Sequence, residues 1–296
     1  MEQIKTGIFS IIGRPNVGKS TLANAVAGEK VAIVSDKPQT TRNRIMAVCN
    51  REGRQYVFMD TPGFHKSTSK LGDYMNKVVR ESVSDVDAVI LMVEPVARIS
   101  KPEAMLIERI RQSKLPAVLL INKMDTVEKD RLLEVIACYK EAWDFADYLP
   151  AAAKDSTGID GLLDRLVPFM SDSPRLFPED MASDQPERQM VAEILREKLL
   201  LTLDREVPHG TAVAIEVFSE RDSGIIDVGA TIYCEKESHK GIIIGKQGAR
   251  LKEIGALARE DIERFFGTKV YLQTWVKVKE NWRQSDMYVR NFGYDL

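Results

Sequence analysis

The sequence predicts two folded domains: an α/β domain over residues 1–172, with a mostly parallel sheet covered by helices on both faces, and a smaller α+β domain over 186–296. Three observations carry this. Short apolar runs alternate with longer amphipathic stretches through the first 170 residues, the pattern of strands and helices in turn. Residues 171–186, SDSPRLFPEDMASDQP, hold three prolines and no period, so a linker is expected over 173–185. Beyond it the elements change order, to α-β-β-α-α-β. The length, 296 residues, suits two domains rather than one.

In the first domain IFSII (8–12), QYVFMD (55–60), DAVILMVE (87–94), AVLLIN (117–122) and DYLPAA (147–152) read as strands. Stretches 19–27, 73–83, 101–112, 128–141 and 158–170 read as helices. Two long polar loops, 31–43 and 61–72, break the rhythm, and loops of that length in a compact domain are usually functional. The second domain opens with a helix whose apolar positions are Met190, Ile194, Leu195 and Leu199. Strands TAVAIEVFSE (211–220) and GIIDVGATIYCE (224–235) follow, then KGIIIGKQGARLKEIG (240–255), a helix running through Phe266, a strand KVYLQTWVKVK (269–279) and a tail. Trp275, read as alternating with Leu272 and Val276, is expected in the core; Trp282 is open between core packing and base stacking.

Hydrophobic content of 44% with 29% charge and a net charge of −2 describes a soluble globular chain, neither disordered nor membrane-spanning. No apolar run approaches the ~20 residues of a membrane helix. The start, MEQIKTGIFSIIG, has an acidic second residue and too short an apolar stretch for a secretory signal, so the cytoplasm is the expected location. Cys49, Cys138 and Cys234 stand far apart without CxxC spacing, which suggests neither a disulfide framework nor a zinc site. The small net charge hides a gradient: residues 236–290 hold twelve Lys/Arg against seven Asp/Glu, whereas 186–235 hold five against ten. A basic face therefore adjoins an acidic one.

GRPNVGKS, Gly13 to Ser20, fits the pattern G-x-x-x-x-G-K-[ST] directly after a strand and at the start of a helix. Backbone N–H groups of Arg14, Asn16, Val17, Gly18 and Thr21, with Pro15 among them in the loop, can converge on phosphates, and the helix terminus adds positive potential. Lys19 would reach the β- and γ-phosphates and Ser20 would hold Mg²⁺. In DTPG (60–63) Asp60 is placed to bind the metal through water, Gly63 offers its N–H to the γ-phosphate, and Thr61 and Pro62 between them are counted with the GTP-binding residues. In NKMD (122–125) Asp125 can accept from guanine N1–H and the 2-amino group, with Asn122 beside it and the Lys123 stem along the ring. Adenine lacks both donors and would leave a carboxylate unpaired, so the nucleotide read is GTP rather than ATP. Three motifs in order, each at a strand's carboxyl end, make one site.

With these residues in view the chain resembles the translation-factor-related GTPases, and among them the Era family: GRPNVGKSTL, QTTRNRI, DTPGFH and NKMD all look like motifs of that family. The resemblance implies a P-loop GTPase turning GTP and water into GDP and phosphate. It makes Thr41, rather than Thr40, the switch threonine that meets Mg²⁺ and the γ-phosphate, so Lys19, Thr41 and Gly63 are the catalytic candidates. Phe64 stands where Ras-like enzymes carry the glutamine that orients water, and a phenyl ring cannot, so slow unaided hydrolysis is expected. Asn16 occupies the position where related GTPases hold K⁺; a plain turn residue is the alternative. PAAAKDSTG departs from the usual S-A-x, with Ala152 in place of serine, and Ala153 is expected to offer its N–H to guanine O6.

The second glycine loop, GKQG at 245–248, lacks the lysine–hydroxyl pair after its last glycine and lies in an α-β-β-α-α-β order, a type II KH fold. In such domains a GxxG loop between two helices clamps about four nucleotides. Gly245 and Gly248 permit close approach, Ile244 adjoins the groove, Lys246 and Gln247 form the tip, and Lys240, Arg250 and Lys252 supply charge to neighbouring phosphates. FPED (177–180), REKL (196–199) and WVKVKENWR (275–283) extend the resemblance over nearly the whole chain. It implies a monomer that binds the 3′ region of 16S ribosomal RNA and assists assembly of the small (30S) subunit, with peripheral membrane association also carried by the family. The competing readings are an RNA-binding protein with a vestigial nucleotide site and a GTPase acting at the membrane surface or with another RNA.

Overall fold

The computed structural model describes residues 3–64, 68–82 and 85–294. His65 of the DTPGFH motif, residues 65–67 of the expected 61–72 loop and residue 83 of the expected 73–83 helix lie outside the described residues. The elements run β1 (Ile4–Gly13), α1 (Lys19–Ala27), β2 (Ile45–Arg51), β3 (Arg54–Asp60), α2 (Lys70–Glu81), β4 (Ala88–Val93), α3 (Lys101–Ser113), β5 (Ala117–Ile121), α4 (Lys129–Ala142), β6 (Asp147–Pro150), α5 (Ile159–Leu166) and β7 (Ser171–Ser173). Then come α6 (Glu187–Thr202), β8 (Ala212–Glu220), β9 (Ile226–Cys234), α7 (Glu237–Ile244), α8 (Ala249–Phe266), β10 (Val270–Val278) and α9 (Asp286–Asn291).

The first sheet has the order β2-β3-β1-β4-β5-β6, with β7 also paired to β1. Strands β3, β1, β4, β5 and β6 are parallel; β2 and β7 are antiparallel additions that the apolar-run pattern did not reveal. Every residue of β4 and β5 is buried, as a strand covered on both faces requires. Successive side chains feed opposite cores. Ile11, Phe58, Ile90 and Leu120 pack with Leu22 and Val26 of α1 and Leu162 and Leu166 of α5. Ile12, Met59, Leu91 and Leu119 pack with Leu106 and Ile110 of α3 and Val135 of α4. Each large side chain fully removed from water contributes about 1.5–3 kcal/mol. Helix α3 begins with a capping box in which Ser100 and Glu103 satisfy each other's backbone N–H groups.

The chain divides into two compact units that are not contiguous in sequence: residues 1–32, 41–67 and 75–184 form one, and 33–40, 68–74 and 185–296 the other. Residues 173–184, expected as linker, are tied within the first unit: Val48 N–H donates to Ala182 O at 2.8 Å and Leu176 and Phe177 N–H both donate to Gln55 Oε1. Within the second unit α6 holds residues 33–40 by polar contacts. Val34 N–H donates to Glu197 Oε1 at 2.9 Å, and the buried Arg196 donates to Thr40 O.

The second unit has the order α6-β8-β9-α7-α8-β10, with β9 central, β8 antiparallel and β10 parallel to it, the type II KH arrangement. Its core joins Ile194, Leu195 and Leu199 to Val228, Ile232, Ile254, Ala258 and Ile262. Trp275 departs from expectation: it is 45% exposed. Leu272 and Val276 sit at even positions of β10 and face the core, so period two turns Trp275 outward with Tyr271 and Lys277. Trp282 is the buried one, at 0% exposure, with its indole N–H donating to Gly210 O at 2.9 Å and its ring edge-on to Phe292.

These two tryptophans should respond differently to truncation. Trp282→Phe strands the Gly210 carbonyl and should cost about 1–3 kcal/mol in chemical denaturation, whereas Trp275→Phe should stay within about 0.5 kcal/mol of wild type.

Candidate functional site

In an open parallel sheet ligands bind beyond the strands' carboxyl ends where the order reverses. Here β1 lies between β3 and β4, and its end, Gly13, starts the phosphate loop. Two positions of that loop need conformations open to few residues. Asn16 has φ +66°, in the left-handed region that asparagine tolerates, and Gly18 has φ +102° as the N-cap of α1. A Cβ on Gly18 would stand 2.3 Å from Asn122 Nδ2, so the close approach also demands glycine.

Asn122, one residue past β5, braces the site: its Nδ2 donates to Val17 O at 2.8 Å and its Oδ1 accepts from Ala153 N–H at 2.9 Å. The Ala153 N–H, expected to reach guanine O6, thus donates to the buried Asn122 amide. Ala152 is held in turn by N–H donation to Thr157 O, at 2.9 Å. Lys123 has φ +62°, and Asp125 is exposed beyond it.

Lys19 is 6% exposed and its ammonium donates to Gly13 O at 3.3 Å and Arg14 O at 3.0 Å. Burial lowers it to about 8, partly opposed by the Asp60 charge. Asp60, at the end of β3, is wholly buried, and burial pushes its carboxyl up against the opposing Lys19 charge and the Ser20 hydrogen bond. Its Oδ2 accepts from Ser20 Oγ at 2.7 Å and from Thr41 Oγ1 at 3.5 Å, and the two hydroxyls are 2.7 Å apart. The three predicted metal residues therefore meet in one corner. Thr40 does not share it; its hydroxyl donates to Lys37 O at 2.6 Å. Asp60 Oδ1 is buried without a hydrogen-bond partner. An orphaned buried acceptor costs about 1–3 kcal/mol. A hard oxygen set of one carboxylate and two hydroxyls with a free lone pair fits Mg²⁺ and its bound water.

The DTPG turn presses on the phosphate loop. Thr61 Oγ1 donates to Ile11 O at 2.8 Å, and a Cβ on Gly63 would lie 2.8 Å from Pro15 Cα, so only glycine fits. Phe64 turns inward, 9% exposed, with the Arg109 guanidinium 4.5 Å above its ring. Sequence reasoning missed Arg109, and also Glu94 and Glu103, which pair with Arg14. None belongs to a local motif.

In the second unit GKQG joins α7 to α8. Gly245 (φ +72°) and Gly248 (φ +78°) both need the left-handed side of the map, and a Cβ on Gly245 would meet Arg250 Cβ at 2.7 Å. Lys246 and Gln247 stand exposed at the tip, Arg250 and Lys252 are exposed on the first turns of α8, and Lys240 and Ile244 are half-buried on α7. Ile242, also on α7, is 41% exposed beside them, an apolar surface that the sequence run GIIIG did not separate from the core.

The comparisons with known proteins agree with this geometry. Residues 8–123 match the family described as 50S ribosome-binding GTPase, and residues 206–283 match the KH domain family. The chain is 48% identical over 290 residues to GTPase Era of Ruminiclostridium cellulolyticum, covering 98% of this chain and 97% of the relative. It is 49% identical over 292 residues to GTPase Era of Alkaliphilus metalliredigens, covering 98% and 99%. Among solved structures, Era in complex with MgGDPNP and nucleotides 1506–1542 of 16S ribosomal RNA superposes with a TM-score of 0.95 at 35% identity, covering 99% of this chain and 100% of that one. A variant of Aquifex aeolicus Era bound to GDP and aluminium fluoride gives the same TM-score, identity and coverage. Near-complete coverage at almost half identity, on a GTPase unit followed by a KH unit, places the chain in the GTPase Era family.

Proposed function

We propose that this chain is a GTP-hydrolysing switch that grips the 3′ region of 16S ribosomal RNA through its GxxG loop and assists small-subunit assembly in the cytoplasm. The observation that carries the reading is the corner formed by Ser20, Thr41 and Asp60, supported by family membership and by the relative solved with MgGDPNP and 16S RNA. Lys19 and the loop amides would hold the phosphates, Gly63 would present its N–H to the γ-phosphate, and Asp125 would select guanine. Bound Mg²⁺ would supply charge neutralisation between the phosphates, held by Ser20, Thr41 and, through water, Asp60. K⁺ at Asn16 is part of the proposal, supported by the family resemblance. Phe64 is an apolar ring turned inward, so no side chain at that position polarises water, and the unaided rate should be slow. The reaction acts as a switch only if RNA binds the GTP and GDP forms with different affinity.

Two measurements test this. In titrations of full-length protein with an RNA spanning the 3′ end of 16S rRNA, affinity should differ at least about fivefold between GTP-analogue and GDP forms. The exposed pair Lys246→Asp with Gln247→Asp should weaken it about tenfold or more by setting carboxylates against phosphates. Equal affinities in the two nucleotide states would refute the switch. The second is pH dependence. Lys19, at about 8 in the free protein, must be charged to hold phosphate, so binding raises it and takes up a proton above pH 8. GDP affinity should be flat below pH 8 and fall by up to about tenfold per unit above it, with net proton uptake in calorimetry at pH 8.5.

A further inference from the structure

Glu94 lies one residue beyond β4, between the phosphate loop and the base-reading loop, and its two carboxylate oxygens serve one each. Oε2 accepts from Arg14 Nη2 at 3.3 Å, and Oε1 accepts from the Lys123 ammonium. Arg14 is fixed from its other side by Glu103, 2% exposed, whose Oε1 accepts from Arg14 Nε at 2.8 Å. The second Glu103 oxygen accepts from Ser100 N–H at 2.6 Å in the capping box of α3, so that anchor is itself held through both oxygens. Arg14 O in turn accepts from the Lys19 ammonium. A continuous path thus runs from Lys19 through Arg14 and Glu94 to Lys123.

We propose that Glu94 is a positioning residue for guanine nucleotide binding, a carboxylate bridge that holds the Lys123 stem extended for stacking on the base and ties it to the phosphate loop through Arg14. This rests on the nucleotide-site reading above. The pairs are partly exposed, with side chains of Arg14, Glu94 and Lys123 at 31%, 30% and 38%, so they add little to stability. Their effect lies in preorganisation: a lysine already ordered along the ring loses less rotamer freedom when the base arrives. Removing the carboxylate adds positive potential near the phosphates, which would tighten binding, and more for GTP than for GDP.

The test is fluorescence titration and dissociation kinetics of N-methylanthraniloyl-labelled GDP and a labelled GTP analogue on full-length wild type, Glu94→Gln, Arg14→Met and the double variant. Glu94→Gln should weaken both nucleotides by the same factor, about fivefold, through faster dissociation. The melting temperature without nucleotide and kcat at saturating GTP should be unchanged. Arg14→Met and Glu94→Gln together should cost less than the product of their separate losses, as residues on one path do. Unchanged or tighter binding, or a loss confined to GTP, overturns the bridge. Wild type that fails to bind guanine nucleotides overturns the site reading itself, and the bridge with it.

Discussion

A lysine and an aspartate buried together at the carboxyl edge of the first sheet set the terms for the whole nucleotide unit. Lys19 and Asp60 have lost most of their water, and burial works against the charge of each, lowering the ammonium and raising the carboxyl. Such a pair persists only where the backbone holds both ends, and the strands do so. Parallel pairing of β1 with β3 carries Ile11 beside Asp60, while Gly13 at the end of β1 starts the loop that delivers Lys19. The two apolar cores on either face of the sheet provide the rigidity, and the hydroxyls of Ser20 and Thr41 complete the shell. Asp60 Oδ1 is then left without a partner, the mark of a corner shaped for something other than stability.

Both functional loops depend on glycine for geometric reasons, and the reasons differ. In the phosphate loop Gly18 makes room for the Asn122 amide, which braces Val17 and Ala153 at once. In GKQG two positive-φ glycines turn the chain so that Lys246 and Gln247 project from between two helices. The first loop is enclosed by neighbours and suits a small ligand. The second stands open at a helix junction and suits a strand.

What was legible in the sequence is what is local. The phosphate loop, DTPG, NKMD and GxxG each lie on adjacent residues, and the structure brings Ser20 and Asp60 together with Thr41, the threonine that the family resemblance implied. The apolar runs located the parallel strands because strands buried on both faces read as continuous. β2 escaped notice because IMAVCNR is a mixed edge strand, and β7 because three residues carry no period. Trp275 was misplaced by pairing it with residues of the opposite parity. Pairs such as Arg14 with Glu103, 89 positions apart, leave no trace in any window of sequence. The commitment of the Ala153 N–H to Asn122 is likewise a fact of packing.

The proposed switch requires that Ser20, Thr41 and Asp60 form one cation-binding corner that stabilises the bound nucleotide. The most direct measurement is GTP-analogue affinity with and without Mg²⁺ for wild type and Asp60→Asn. In wild type Mg²⁺ should tighten binding about tenfold or more, and in Asp60→Asn this gain should vanish while metal-free binding survives. The same magnesium gain in the variant would contradict the account.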